Sequence, residues 1–246
     1  MTRPVGQAGG LSALLRAAGC DPVEVPAIAI APPASYIDLD LAIARLDTYD
    51  WIVFTSRNAV AALYARFSAV APARAMPPRL HCAAIGPGTA AALAAYGVAA
   101  AWVPSAFASE VLAEEIPISA GQRVLRLRAA VAAEIGTVLR ARGAVVDDVI
   151  AYRTIEAPPE SVPLLLDAFA DGVDAVVLAS ASAARGLVTL AGAAGIGTRL
   201  LEVPVVAIGP VTAEAASAAG LRVEMVAGEY SIDGITAVIR RRLVGA

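Results

Sequence analysis

The chain has 246 residues, 58% of them hydrophobic and 17% charged, with a formal net charge of −3. That balance excludes a disordered polyanion or polycation and provides no basic surplus for nucleic acid or anionic membrane, so an anionic ligand has to be held by local donors. The two cysteines, Cys20 and Cys82, lie far apart, which excludes a disulfide framework or a cysteine metal cluster and fits a reducing compartment.

The opening "MTRPVGQAGG" has no continuous apolar core before a small-residue cleavage site, so no secretory signal is expected and the cytoplasm is the expected compartment. "VPAIAIAPPAS", around Pro26 to Ser35, is an apolar run closed by Pro-Pro and suits an extended connector. "WIVFTS", from Trp51, predicts a buried strand, followed by a helix from about Asn58 to Phe67. "HCAAIG", from His81, predicts a second strand with a helix from Thr89; His81 has no partner motif and is expected to be structural. The uncharged run from Cys82 to Ser109 is long enough to cross a bilayer, but Gly86, Pro87, Gly88, Gly97 and Pro104 break it into strand, turn, helix and strand. A second apolar stretch ending in Pro-Pro, "VIAYRTIEAPPES", follows from Val149, and strand, strand and helix recur near Val176, Val205 and Thr212. Arg240 to Arg242 closes the last helix, where cations favour the negative end of the dipole.

The recurrence is a duplication. "CAAIGPGTAAALAAYG" from Cys82 returns as "VVAIGPVTAEAASAAG" from Val205, with Ile85, Gly86, Pro87, Thr89 and Gly97 matched by Ile208, Gly209, Pro210, Thr212 and Gly220. "WIVFTSRNAV" against "DAVVLASASA" and "LSALLRAAG" against "IGTVLRARG" keep nearly the same offset, 123 to 124 residues. Strands alternating with helices in each copy imply two open parallel sheets wound by right-handed crossovers, flavodoxin-like or Rossmann-like. The two Pro-Pro stretches occupy equivalent places in the copies, which suggests a two-stranded β-ladder linking the domains as a hinge. Gly-Pro-x-Thr predicts a tight turn, a fixed φ and a hydroxyl that caps the coming helix, placing Thr89 and Thr212 at helix N-termini, where N–H groups can hold an anion.

Taken together, "TRP" at Thr2, "FTSRNAV" at Phe54, "AIGPGTAAAL" at Ala84, "LRLR" at Leu125, "AYRT" at Ala151 and "AIGPVTAEAA" at Ala207 resemble the uroporphyrinogen-III synthase family over nearly the full length. The resemblance implies a discontinuous first domain, residues 1–30 plus 160–246, an inserted second domain, 37–150, and a linker of 31–36 and 151–159. Three departures touch the binding detail. No apolar strand precedes Thr2, Ala129 and Ala130 follow Arg128 where a glycine is usual, and "LASAS" replaces a full "FTS", leaving Ser180 as the matched hydroxyl.

What the family does then becomes the expectation. Its substrate, hydroxymethylbilane, is a linear tetrapyrrole carrying eight carboxylates; loss of its terminal hydroxyl, attack by the substituted carbon of ring D, fragmentation of the spiro intermediate and re-closure give uroporphyrinogen III. The resemblance implies no cofactor and no metal. "GPGTAA" falls short of a dinucleotide fingerprint and lacks its acidic partner. The carboxylates call for many donors, and the duplicated loops supply Ser56, Thr89, Ser180 and Thr212 at strand ends facing a cleft between the domains. Among Arg3, Arg126 and Arg128, the arginines nearest the motifs, Arg3 and Arg128 are the expected carboxylate partners. Tyr152 in "AYRT" is the family-matched general acid, since a phenol with an ordinary pKa near 10 keeps its proton at neutral pH. The expected enzyme is a cytoplasmic monomer that binds neither nucleic acid nor membrane, with room for a transient contact with the preceding pathway enzyme. The competing reading is a tandem α/β ligand-binding or regulatory protein that keeps this fold without the chemistry.

Overall fold

The structure, a computed structural model, describes residues 1–106, 109–131 and 135–241. In chain order the elements are α1 (Gly9–Ala17), β1 (Ile28–Ala31), α2 (Ile37–Ala44), β2 (Trp51–Phe54), α3 (Arg57–Val70), β3 (His81–Ala84), α4 (Pro87–Ala94), α5 (Ser109–Glu115), β4 (Arg123–Ala129) and α6 (Ile135–Ala141). They continue as β5 (Val145–Glu156), α7 (Ser161–Asp171), β6 (Val176–Leu178), α8 (Ala181–Ala193), α9 (Gly197–Glu202), β7 (Val205–Ala207), α10 (Pro210–Ala218), β8 (Val223–Val226) and α11 (Ile232–Ile239). Arg242, in the basic run read from the sequence, lies outside the described residues. The chain folds as two compact units, Met1–Ala29 with Ile155–Ala246, and Ile30–Thr154.

In the unit formed by Ile30–Thr154 the strand order is β1-β5-β4-β2-β3, and β5, β4, β2 and β3 are mutually parallel. Strand β2 is apolar on both faces because helices cover both. Ile52 and Phe54 point into one core with Leu39, Ile43, Leu63 and Leu93. Trp51 and Val53, one residue out of phase, point into the other with Leu112, Ile116, Ile135 and Leu139. Successive side chains of a strand face opposite ways, so four residues serve two cores. The chain leaves β2 for β3 on one side and later returns to β4 on the other. That reversal, between β2 and β4, is the kind of sheet position where α/β proteins place ligands, outside the carboxyl ends of the strands.

The second unit repeats this scheme with a smaller sheet, β6-β7-β8, again parallel. Val176, Leu178 and Val205 enter a core with Leu165, Phe169, Leu187 and Leu190, while Val177 and Val206 face Leu11, Leu15, Ile235 and Ile239. The first residues form no strand of their own, but they are laced into this unit. Val25 and Ala27 donate their N–H groups to the carbonyls of Met1 and Thr2 at 2.8 and 3.1 Å, and the Thr2 hydroxyl donates to the Val177 carbonyl at 2.8 Å. Helix α8 lies so close to this strip that a Cβ on Gly186 would stand 2.1 Å from the Ala27 carbonyl oxygen, a position only glycine can occupy.

Candidate functional site

Four strand-to-helix corners carry the duplicated motifs. Ser56 leaves β2 in extended conformation, φ −163° and ψ 157°, and its Oγ accepts from the Ala59 N–H at 3.1 Å, capping α3. Ser180 leaves β6 at φ −167° and ψ 158° and caps α8 through the Ala183 N–H at 3.1 Å. The Gly-Pro corners also match: Gly86 (φ −176°, ψ 177°) and Gly209 (φ −175°, ψ 174°) are the caps, with Pro87 and Pro210 as the first helical residues. The hydroxyls expected to cap these two helices do not. Thr89 and Thr212 are buried and make no side-chain cap bond, because proline begins the helix immediately after glycine and leaves threonine two residues inside the first turn. Proline, lacking an N–H, leaves fewer orphan donors to cap there.

In the five-stranded unit the register fixes which residues share the carboxyl edge. Phe54 pairs with Ala84 and with Leu127, Leu127 with Val149, and, after a bulge between Arg128 and Ala129, Ala129 with Tyr152. Ser56, the Gly86–Thr89 turn, Arg128 and Tyr152 therefore lie along one edge, on neighbouring strand ends. The two corners there touch: a Cβ on Gly88 would be 3.9 Å from Arg57 Cδ. Tyr152 is buried, 8% exposed, and its hydroxyl lies 2.9 Å from Ser56 Oγ, so a phenol on β5 reaches past the end of β4 to the cap of the helix after β2.

Arg128 is anchored within the protein. Its Nε donates to Asp148 Oδ1 at 3.1 Å and its Nη1 to the carbonyls of Ala129 and Ala130 at 3.0 and 2.9 Å. Asp148 Oδ2 accepts from Nη1 of Arg126, 3.0 Å away and 1% exposed. Residues two apart on a strand share a face, and Asp148 stands opposite Arg126, so one carboxylate ties both guanidiniums. Helix α6 makes room with a glycine, since a Cβ on Gly136 would sit 2.9 Å from Asp148 Oδ2. Asp148 escaped the reading of motifs, although the acidic pair in "VVDDVIAY" is a visible anomaly in an apolar strand. Its neighbour Asp147 serves the opposite end of the sheet, accepting from the Tyr49 hydroxyl at 2.5 Å; burial, then that bond, pushes the Tyr49 phenol up to about 12. His81 lies against Trp51, ring centroids 4.9 Å apart and planes tilted by 30°, which is a packing role.

The other unit holds Arg3, Ser180 and Thr212. Ser180 Oγ, besides its cap, meets Ser182 Oγ at 3.1 Å, a neighbour the motif reading missed. Arg3 is buried, and Tyr230 lies across the Gly209 corner, where a Cβ would meet its ring at 3.1 Å. A cavity of about 490 Å³ in this unit is lined by Met1, Cys20, Phe169 and Asp174, among others, and by none of the site residues read from the sequence. Among the described residues no three His, Cys, Asp or Glu side chains are grouped as metal ligands, and no helix is long and apolar enough to cross a membrane.

The family described as uroporphyrinogen-III synthase HemD matches residues 10–237. The chain belongs to that family. A uroporphyrinogen-III synthase from Synechococcus elongatus is 33% identical over 98% of this chain and 93% of its own length. A crystal structure of a mutant uroporphyrinogen III synthase from Thermus thermophilus superposes with a TM-score of 0.63 over the whole of both chains at 20% identity. That of Helicobacter pylori gives 0.59 over 87% of this chain and 90% of its own, at 16%. Those two likenesses show the fold: mixed α/β with parallel sheets, shared with two-domain proteins of the uroporphyrinogen-III synthase family.

Proposed function

We propose that this member of the family closes hydroxymethylbilane to uroporphyrinogen III with inversion of ring D, and that Tyr152 supplies the proton on which the first step depends. The phenol protonates the terminal hydroxyl, which leaves as water; the substituted carbon of ring D attacks the resulting azafulvene and forms the spiro centre. Fragmentation frees ring D in its inverted sense, re-closure completes the macrocycle, and the proton lost on re-aromatisation returns to the phenolate. Overall the substrate loses one water, with no change of oxidation state. Holding the chain so that ring D attacks through its substituted carbon is the larger part of the work, because simple end-to-end closure competes.

The observation that carries this reading is the Tyr152 hydroxyl at 2.9 Å from Ser56 Oγ, on the carboxyl edge of a parallel sheet beside its switch point. Substrate carboxylates are met in the same unit by the α4 terminus around Thr89 and by Arg128 through the part of its fork that Asp148 and the carbonyls leave available. Arg3, Ser180 and Thr212 serve the same purpose in the other unit. Incubating the protein with freshly made hydroxymethylbilane and separating the isomers tests the reading: type III product at a rate far above spontaneous closure is expected, and type I alone at the spontaneous rate overturns it. Tyr152→Phe tests the acid separately, with a fall in kcat of about a hundredfold or more expected from the loss of a general acid.

A further inference from the structure

We propose that Ser56 is a positioning residue for Tyr152, donating its own proton to the phenolic oxygen and so turning the phenol's proton outward toward the departing hydroxyl. The proposal rests on Tyr152 being the acid. It concerns which of the two hydroxyls, 2.9 Å apart, is the donor.

A serine hydroxyl has one proton and two lone pairs. One lone pair of Ser56 accepts from the Ala59 N–H at 3.1 Å, at the N-terminus of the 14-residue helix α3. The positive end of that helix draws the oxygen's electron density toward itself and leaves the O–H pointing away from it. Tyr152 Oη is the polar atom found on that side. The bonds then run in one direction, from Ala59 N–H to Ser56 O–H to Tyr152 O–H, and each donor in such a chain strengthens the next. The reverse arrangement would have Ser56 accept twice and would fix the phenol's proton inside the pair, where it can do no chemistry. After transfer, the same Ser56 O–H and the helix behind it face the phenolate and stabilise it.

The duplicated corner separates this role from capping. Ser180 has the same backbone and the same cap bond at 3.1 Å, yet its hydroxyl meets Ser182 Oγ. Capping needs a serine at both corners; only the first has a phenol to orient.

Four single substitutions and two double variants, assayed for kcat, KM and isomer ratio with hydroxymethylbilane and for thermal stability, decide the matter. Ser56→Asp keeps a good cap but has no proton to give when ionised, and Ser56→Ala has neither cap nor proton; both are expected to lower kcat about tenfold or more, Ser56→Ala with KM within about twofold. Ser56→Thr, which can cap and donate, is expected to recover most of that loss. In a Tyr152→Phe background Ser56→Asp and Ser56→Ala are expected to cost nothing further in kcat, since residues that act as a unit are not additive. The proposal is overturned if Ser56→Asp turns over like the parent, if the loss appears in KM alone, or if it adds fully to that of Tyr152→Phe. Should Ser56→Asp not fold, Ser56→Ala in the two backgrounds answers the same question. Full turnover by Tyr152→Phe would instead sink the acid itself, an outcome these variants distinguish from failure of the relay.

Discussion

The corner at Ser56 and the corner at Ser180 leave their strands at nearly the same backbone angles, −163°/157° and −167°/158°, and each serine accepts from the N–H three residues on at 3.1 Å. On the other side of the hydroxyl they differ: Tyr152, from a strand 96 residues further along the chain, stands at Ser56, and Ser182, two residues on, stands at Ser180. The shared half depends on a few consecutive residues, so duplication carries it intact. The unshared half depends on which strand neighbours the corner, and the two sheets are built differently there, with five strands in one and three in the other.

The largest effect that would break this contrast is removal of the carboxylate behind the phenol's unit. Asp148→Ala leaves the buried Arg126 without that counter-charge and is expected to destabilise by about 3–5 kcal/mol. Both tryptophans, Trp51 and Trp102, belong to this unit, so their fluorescence during urea denaturation reports the loss; an unchanged midpoint would show that Arg126 and Arg128 do not depend on Asp148. In the other unit Gly186→Ala drives a methyl group into the Ala27 carbonyl, an expected cost of about 3 kcal/mol, visible in circular dichroism melts.

Ser56→Ala and Ser180→Ala should sharpen the comparison. Each loses one cap, so equal destabilisations of about 1 kcal/mol are expected, while kinetics divide them. The first is expected to lower kcat and the second to raise KM for hydroxymethylbilane; the same kinetic pattern in both would mean that the phenol makes no difference between the corners.

A subtler expectation concerns alkaline pH. Burial lifts the Cys82 thiol from 9.0 to about 12, and lifts the Tyr49 and Tyr64 phenols from 10.0 to about 12, all three within the five-stranded unit. Because the folded values are raised, the stability they contribute is fully present below about pH 9 and is lost as pH rises toward 12. Urea midpoints followed by tryptophan fluorescence should therefore fall over that window, and Tyr49→Phe with Cys82→Ala should flatten the fall. The smallest test is a labelling count: Cys20 is partly exposed and Cys82 is buried, so one equivalent of a thiol reagent is expected to react with the native protein at pH 8, at Cys20, and two after denaturation.

Much of the fold was legible because its signals are local. Apolar runs such as "WIVF" fix strands buried on two faces, Gly-Pro marks the turns from which α4 and α10 leave, and the matched sequences announced two units of one design. The caps were legible as hydroxyls at strand ends but were credited to the wrong ones: Ser56 and Ser180 cap, and Thr89 and Thr212 are buried one step further in. A shift of three residues, from Thr89 to Gly86 and from Thr212 to Gly209, is decided by where proline starts the helix, which residue identity alone marks only loosely.

By itself, then, the sequence determined the elements, the duplication and the family, since periodicity, turn chemistry and motif order are written along the chain. Only the tertiary structure decided that Tyr152 meets Ser56, that Asp148 ties Arg126 to Arg128, and that Ser180 finds a serine instead of a phenol. The Tyr152 and Asp148 pairings follow from strand order and register, which bring residues 20 to 96 positions apart onto neighbouring strands, and hydrogen bonds of about 3 Å cannot be read from a pattern that fixes each strand without naming its neighbours; the Ser180–Ser182 contact is local, two residues along the chain.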